Sequence, residues 1–300
     1  MRVPRRRVAL LVTILALVLI AGSAGITSCQ AQGGTSGGKL AVYLIDVGQG
    51  DGMLIQTPGG KNIVVDAGVE ATTVTKFLQG KKVKQVDYFI VTHPHADHVG
   101  GATYLLENIP VKNVYDSGKE HTTSLYESFL SKTLELVKAG KTTYTKARAG
   151  QQLKVEDDLV LNFLHPTDEP APPPDDINNS SIVFKLVYKG FSMLFTGDAE
   201  EWAEQRMLGR HADLKAQVLK VGHHGSKSSS SAAFLDAVKP EVAVLQAGVG
   251  NSYGHPHGVT LENLGKRNVK VYATNMVGGP IKITSDGKTY QIQTGKDATK

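Results

Sequence analysis

Apolar positions along this chain recur at two spacings, and the spacing separates strands from helices. Short apolar or alternating runs at 40–45, 53–57 and 62–65 predict strands, with Gly-containing turns such as Pro58-Gly59-Gly60 between them. A helix is predicted over 70–79, a buried strand over 87–91, a helix over 99–107 and a strand over 111–115. Leu125, Phe129, Leu134 and Val137 share one helical face and predict a helix over 123–138. The second half repeats the logic. Strands are expected at 159–164, 181–188, 191–196, 215–221 and 242–246, and helices at 199–208, 230–238 and 260–267. Strands at 269–273, 280–284 and 288–293 close the chain. Two strand-rich halves with interspersed helices suit two sheets packed face to face with helices outside, although periodicity alone says only mixed α and β. The acidic, proline-rich stretch 167–177 reads as a loop, either a tolerated insertion or a lid.

The N-terminus has a different pattern. Arg2, Arg5, Arg6 and Arg7 precede an apolar run from Val8 to Gly22, the layout of an export signal. The run ends in Ile26-Thr27-Ser28-Cys29, which resembles the processing site of bacterial lipoproteins, and Cys29 is the only cysteine. Residues 1–28 are therefore expected to be a signal peptide. Cys29 is expected to be lipidated, with 29–39 a flexible Gly/Ser-type tether, 40–294 the folded domain and 295–300 a C-terminal tail. The alternatives are an ordinary signal peptide or an uncleaved anchor. This layout changes the charge. The formal +5 includes four arginines from 1–28, and without them 29 basic residues face 28 acidic ones. Bulk charge then gives no support for nonspecific nucleic-acid binding.

The chemistry concentrates in a few turns. Thr92-His93-Pro94-His95-Ala96-Asp97-His98 comes directly after the apolar run at 87–91. Imidazole and carboxylate at this density suit a borderline or hard divalent cation such as Zn²⁺ or Mn²⁺. A loop at a strand end can aim His93 and His95 at one ion, and Asp97 and His98 at a second. Two such ions polarise a substrate oxygen and activate water at neutral pH. Thr196-Gly197-Asp198 ends another apolar run and leaves a carboxylate placed to bridge the pair, or to cap the next helix. Gly222-His223-His224-Gly225-Ser226 and Tyr253-Gly254-His255-Pro256-His257 add two more clusters. Seven of the ten histidines lie in these three His-containing groups, the exceptions being His121, His165 and His211.

The ordered set resembles the metallo-β-lactamase superfamily. Within it, five segments resemble the hydrolase domain of ComEC-type competence proteins. They are Asp46 to Asp51, His93 to Gly101, Asn178 to Ser181, Thr196 to Glu200, and Lys220 to Ser226 taken with Tyr253 to His257. The resemblance implies a four-layer αββα sandwich over roughly 40–294. It places His93 and His95 on one metal, Asp97 and His98 on the other, and Asp198 between them. Many relatives supply a further histidine for the first metal from a turn that here reads Asn178-Asn179-Ser180. The resemblance assigns that place to His223 or His224, with a slight preference for His224, and leaves His165 a structural role. His255 is the expected last ligand of the second metal. His257 competes with it and is otherwise a substrate contact. Asp66 is expected to orient a metal-bound histidine. Lys220, as a catalytic contact to an anionic group, and Asn179 and Ser226 are the expected substrate-facing residues.

The function implied is that of a metal-dependent hydrolase with Asp97 and Asp198 at its centre, acting on a phosphodiester such as extracellular DNA or a phosphorylcholine ester. It would use two ions, Zn or Mn, and sit on the outer face of the bacterial cytoplasmic membrane through Cys29. Beyond Ile26 no stretch of the sequence approaches about 20 apolar residues, so a transport channel is not expected within it. Hydrolysis of a lactam, lactone or thioester, or metal binding without turnover, are the competing classes.

Overall fold

The computed structural model describes residues 38–169, 172–173 and 175–299. The arginine-led apolar segment, Cys29 and the tether up to residue 37 lie outside the described residues. The chain opens with three antiparallel strands, β1 (Leu40–Leu44), β2 (Gly52–Gln56) and β3 (Asn62–Ala67), and then helix α1 (Thr73–Gly80). Strand β4 (Val86–Val91) pairs parallel to β3 and leads into two short helices, α2 (Ala96–Val99) and α3 (Ala102–Asn108). Then come β5 (Val111–Asp116), α4 (Ser124–Lys138) and β6 (Thr143–Lys146).

The second sheet begins with the antiparallel strands β7 (Gln152–Glu156), β8 (Leu159–His165), β9 (Val183–Tyr188) and β10 (Phe191–Phe195). It continues through α5 (Glu201–Gly209), β11 (Val218–Lys220), α6 (Ala232–Val238), β12 (Val242–Leu245), α7 (Gly258–Gly265) and β13 (Lys270–Ala273), with β10 to β13 mutually parallel. A short α8 (Thr274–Val277) returns the chain to the first sheet, where β14 (Ile281–Ser285) pairs with β1 and β15 (Tyr290–Thr294) forms the edge. The sheets have eight and seven strands.

Three apolar clusters define four layers. Val42, Leu44, Ile55, Phe163, Phe184 and Phe195 pack between the sheets, and the Phe184 and Phe195 rings stack at 4.6 Å. Leu78, Leu105 and Phe129 bring α1, α3 and α4 onto the outer face of the first sheet. Met207, Phe234 and Leu264 do the same for α5, α6 and α7 on the second. Strands covered on both faces read as nearly unbroken apolar runs, which is why β4, β9, β10 and β12 are legible in the sequence. The αββα order is the expected one.

Three local expectations change. Strands β6 (TYTK) and β7 (QLKVE) are absent from the sequence reading. Each is an outermost strand, so one side is solvated and its residues are polar. The single helix expected over 99–107 is split at Gly100-Gly101. There the backbone passes so close to the β3–α1 turn that a Cβ on Gly100 would lie 2.4 Å from the Val69 carbonyl oxygen. Residues 295–299, expected as a tail, form a 3-10 turn with Ala298 fully buried.

Candidate metal centre

The site lies where parallel strands of both sheets end. β4 runs into Thr92-His93 and α2 brings His95, Asp97 and His98 round after it. β10 ends at Phe195, three residues before Asp198, and β11 runs into a 3-10 turn, Gly222–Gly225, carrying His223 and His224. The sheets are tied together here. Ile182 N donates to the Thr92 carbonyl, and on the second sheet's own side the Ser181 hydroxyl accepts from Asp198 N at 3.0 Å. The β1–β2 loop completes the floor, with Asp51 N donating to the Asp97 carbonyl. Gly50, at φ +129°, allows that approach, since a Cβ there would sit 2.3 Å from the Asp97 oxygen.

Asp198 is the focus. Its Oδ2 lies 3.3 Å from His98 Nε2, 3.4 Å from His224 Nε2, and 3.8 Å from both His93 Nε2 and His223 Nε2. Two sets of donors converge around it. Asp97, His98, Asp198 and His224 offer ligand atoms all within 4.8 Å of one another. On the other side, His93 Nε2 and His95 Nδ1 face each other at 3.0 Å.

The far nitrogen of three of these imidazoles is held in place. His98 Nδ1 donates to Asp66 Oδ2 at 2.8 Å, and Asp66 also accepts from the amide and hydroxyl of Thr92. His224 Nδ1 donates to the Gln246 carbonyl at 3.0 Å, and His223 Nδ1 to Glu200 Oε1 at 2.7 Å. Such partners aim the other nitrogen at a cation. His98 Nε2, His224 Nε2 and Asp198 Oδ1 are buried and accept or donate no hydrogen bond. Buried polar atoms without a hydrogen bond are costly, and here they cluster around one point. Borderline nitrogen donors and carboxylate oxygens in this arrangement fit a divalent cation.

The electrostatics agree. Burial pushes His98 and His224 down, but the facing Asp198 carboxylate, with Asp66 beside His98 and Asp97 beside both, raises them well above the ordinary histidine value. Burial raises Asp198, but His224 and His98 outweigh it and hold the carboxyl well below its usual range. His93 is buried away from water and beside His98, so it stays neutral over a wide pH range. A pocket that draws protons to two histidines is one that a dication can take over.

Several assignments change. His224 stands in one group with Asp97, His98 and Asp198, and not in the place beside His93 and His95 that the resemblance slightly favours for it. The reason is backbone geometry: His223 and His224 both have positive φ, and the end of β12 supplies the carbonyl that fixes His224. His255, expected as the last ligand, lines the cavity but lies outside that four-residue group, its ring 5.3 Å from His223 and 6.1 Å from His224. Burial and the neighbouring His223 press its pKa down to about 4. His257 accepts from Lys227 N and is not among the cavity-lining residues.

Lys220 is 0 % exposed and cannot touch substrate; its ammonium pairs with Asp51 Oδ2 at 2.7 Å. Asp51 Oδ1 in turn lies 3.5 Å from His224 Nδ1. Ser226 is buried, its hydroxyl 2.8 Å from that of Ser228. Asn179 is also buried. Its Oδ1 accepts from the amides of Glu200 and Ala203, closing the N-terminus of α5, and its Nδ2 donates to Asp176. Asn179→Ala is therefore expected to cost about 1–3 kcal/mol in a urea melt, from stranded buried amides, while metal content persists. Unchanged stability with lost turnover would restore it as a substrate contact. His165, as expected, is structural: it is fully buried, and its Nε2 donates to the Asn179 carbonyl.

Two contributors carried a signal but no assigned role. Glu200, two residues past Asp198, anchors His223. Gln49, inside the Asp46–Asp51 segment, lines the cavity and accepts from Gly248 N.

This chain has counterparts among known proteins. The Metallo-beta-lactamase superfamily profile matches residues 45–249. "ComE operon protein 3" of Bacillus subtilis is 31% identical over 261 residues, covering 79% of this chain and 32% of that protein. "Competence protein ComA" of Neisseria gonorrhoeae is 30% identical, covering 80% of this chain and 32% of that one. A UPF0173 metal-dependent hydrolase of Cupriavidus necator is 26% identical, covering 80% of this chain and 86% of its own length. The chain thus spans about a third of the length of the two competence proteins. In fold it is similar to Igni18, a metallo hydrolase of Ignicoccus hospitalis, with TM-score 0.50 and 17% identity over 85% of this chain and 100% of that one.

Proposed function

This chain belongs to the metallo-β-lactamase superfamily, and from that premise we propose that it is a metal-dependent hydrolase, a phosphodiesterase holding two divalent ions, related in role to the hydrolase domains of ComEC-type competence proteins. The observation that carries the reading is Asp198, buried with histidine nitrogens within 4 Å on both sides of it. His93, His95 and Asp198 would hold one ion, and Asp97, His98, His224 and the shared Asp198 the other. When bound, such a pair supplies Lewis-acid stabilisation of the charge that builds on phosphoryl oxygens and lowers the pKa of water. The protein's own part is to fix the ligands through Asp66, Gln246 and Asp51, and to leave a cavity of about 310 Å³ beside them for the scissile group. His223, anchored by Glu200, presents its Nε2 to that cavity.

The test is metal analysis after reconstitution with Zn²⁺ or Mn²⁺, and then turnover of bis(p-nitrophenyl) phosphate and nitrocefin. About two ions per chain and hydrolysis of the diester alone are expected. Absence of bound metal sinks the reading, and cleavage of nitrocefin in place of the diester transfers it to lactam hydrolysis.

The N-terminal sequence supports a location as well. The arginine-led apolar segment ending at Cys29 fits an exported lipoprotein, and more than one acyl chain on that cysteine gives stable anchoring. Among the described residues no helix is long and apolar enough to cross a membrane. Cys29→Ser is expected to abolish labelling by a palmitate analogue and to leave unprocessed precursor. Lipid-free wild-type protein in the medium, cut at another position, would favour an ordinary signal peptide.

A further inference from the structure

The cavity beside the histidines carries an aromatic ring that metal binding does not use. Tyr253 lines it together with Gln49, His95 and His223. The residue is 64% exposed, and no hydrogen bond to its hydroxyl occurs among the described residues. Its ring lies 5.6 Å from that of His255, 19° from parallel, so His255 covers one face. The turn that carries it is firmly held. Asn251 donates through Nδ2 to the carbonyls of Gly248 and His255, and accepts from His255 N. A large ring fixed at the mouth of a polar cavity, backed on one side and wet on the other, is preorganised to stack.

The surroundings give the direction in which a substrate would extend. On the other side of the site, past His121, whose ring is 6.1 Å from His95, lies a larger cavity of about 760 Å³. Glu120, Glu127 and Asp175 line it, with Lys146 as the one lysine or arginine among its lining residues. That surface repels a chain of phosphates. The cavity at Tyr253 has no lining carboxylate other than Asp97 and Asp198, which face the metal positions. Exposed Lys227 stands close by, its amide bonded to His257.

Resting on the phosphodiesterase reading, we propose that Tyr253 is a specificity-determining residue, the platform on which the aromatic group next to the scissile phosphodiester stacks. Base–aromatic stacking of this kind is sequence-tolerant and is lost when the ring is removed.

The experiment is equilibrium binding to the metal-loaded full chain of two probes: a thymidine dinucleotide phosphorothioate and the same backbone with both bases removed. Tyr253→Leu should weaken binding of the dinucleotide roughly tenfold, Tyr253→Trp should retain it, and neither should alter metal content or binding of the abasic probe. Equal loss for both probes, no loss for either, or no binding of the dinucleotide to the unsubstituted protein overturns the proposal. Base-dependent binding through Tyr253 in a protein that hydrolyses no diester upholds the platform and defeats the phosphodiesterase reading instead.

Discussion

Asp198→Asn is expected to cost both metal and turnover, with activity on a phosphodiester falling on the order of 10³-fold. Removing a single neutral hydrogen-bond donor from a preorganised catalytic site already costs about 10²–10³-fold. Asp198 contributes more than such a donor: it is the one carboxylate facing His93 on one side and His98 and His224 on the other. Two dications held close together need the ligands to supply negative charge.

A second readout needs no substrate. In metal-free protein His98 and His224 are raised well above their ordinary value, even against burial, with Asp198 the foremost charge doing so. A histidine whose folded pKa exceeds its unfolded one, about 6.5, adds stability that is fully present below that value. The stability is lost as pH rises through the folded pKa. Metal-free wild type should therefore melt at progressively lower temperature as pH climbs above about 6.5, and Asp198→Asn should flatten that slope. Full activity and two bound ions in Asp198→Asn would refute the shared-ligand arrangement.

Lys220→Met is expected to destabilise the protein by about 3–5 kcal/mol in a denaturant melt, the cost of stranding one buried charge when its partner is removed. Lys220 and Asp51 are both 0 % exposed, and Lys220 is the foremost positive charge facing Asp51, ahead of His224 and His98. The double variant Lys220→Met, Asp51→Asn should recover much of the loss, because neither charge is then left alone. Both variants should also bind metal roughly 10–100-fold more weakly, since Asp51 lies against the imidazole of His224 and supports it from behind. A Lys220 that contacts substrate would behave otherwise, with stability intact and KM raised. No change in the melt would remove the buried pair from the account.

The strands that carry the site, β4, β10 and β11, are sandwiched between layers, and their apolar runs state their own positions in the sequence. His93, His95, Asp97, His98 and Asp198 are legible because each comes within a few residues of such a run, so the end of a strand delivers it. Edge strands β6 and β7 lack that signature, since half their surface is in water. Asn179, Lys220 and Ser226 are polar residues in motif segments, and type and position suggested substrate contact. Whether a polar side chain faces a ligand or the protein interior depends on contacts from far along the chain, here Glu200 and Ala203 for Asn179 and Asp51 for Lys220.

The sequence by itself determined a mixed α and β class, the order of strands and helices around the site, and a dense histidine–aspartate chemistry suited to divalent cations. Periodicity and local spacing are enough for that, because strand and helix burial repeat at fixed intervals and the ligands of α2 lie within one turn of chain. Only the tertiary structure decided where His223, His224 and His255 stand around Asp198 and the cavity beside it. All three sit in Gly- and Pro-rich turns with no periodic constraint. The directions of the first two are set by positive-φ backbone and by partners more than twenty residues away, Glu200 for His223 and Gln246 for His224. The side chain of a residue in a turn goes where packing between the two sheets leaves room and a hydrogen-bond partner, and neither exists until the sheets have met.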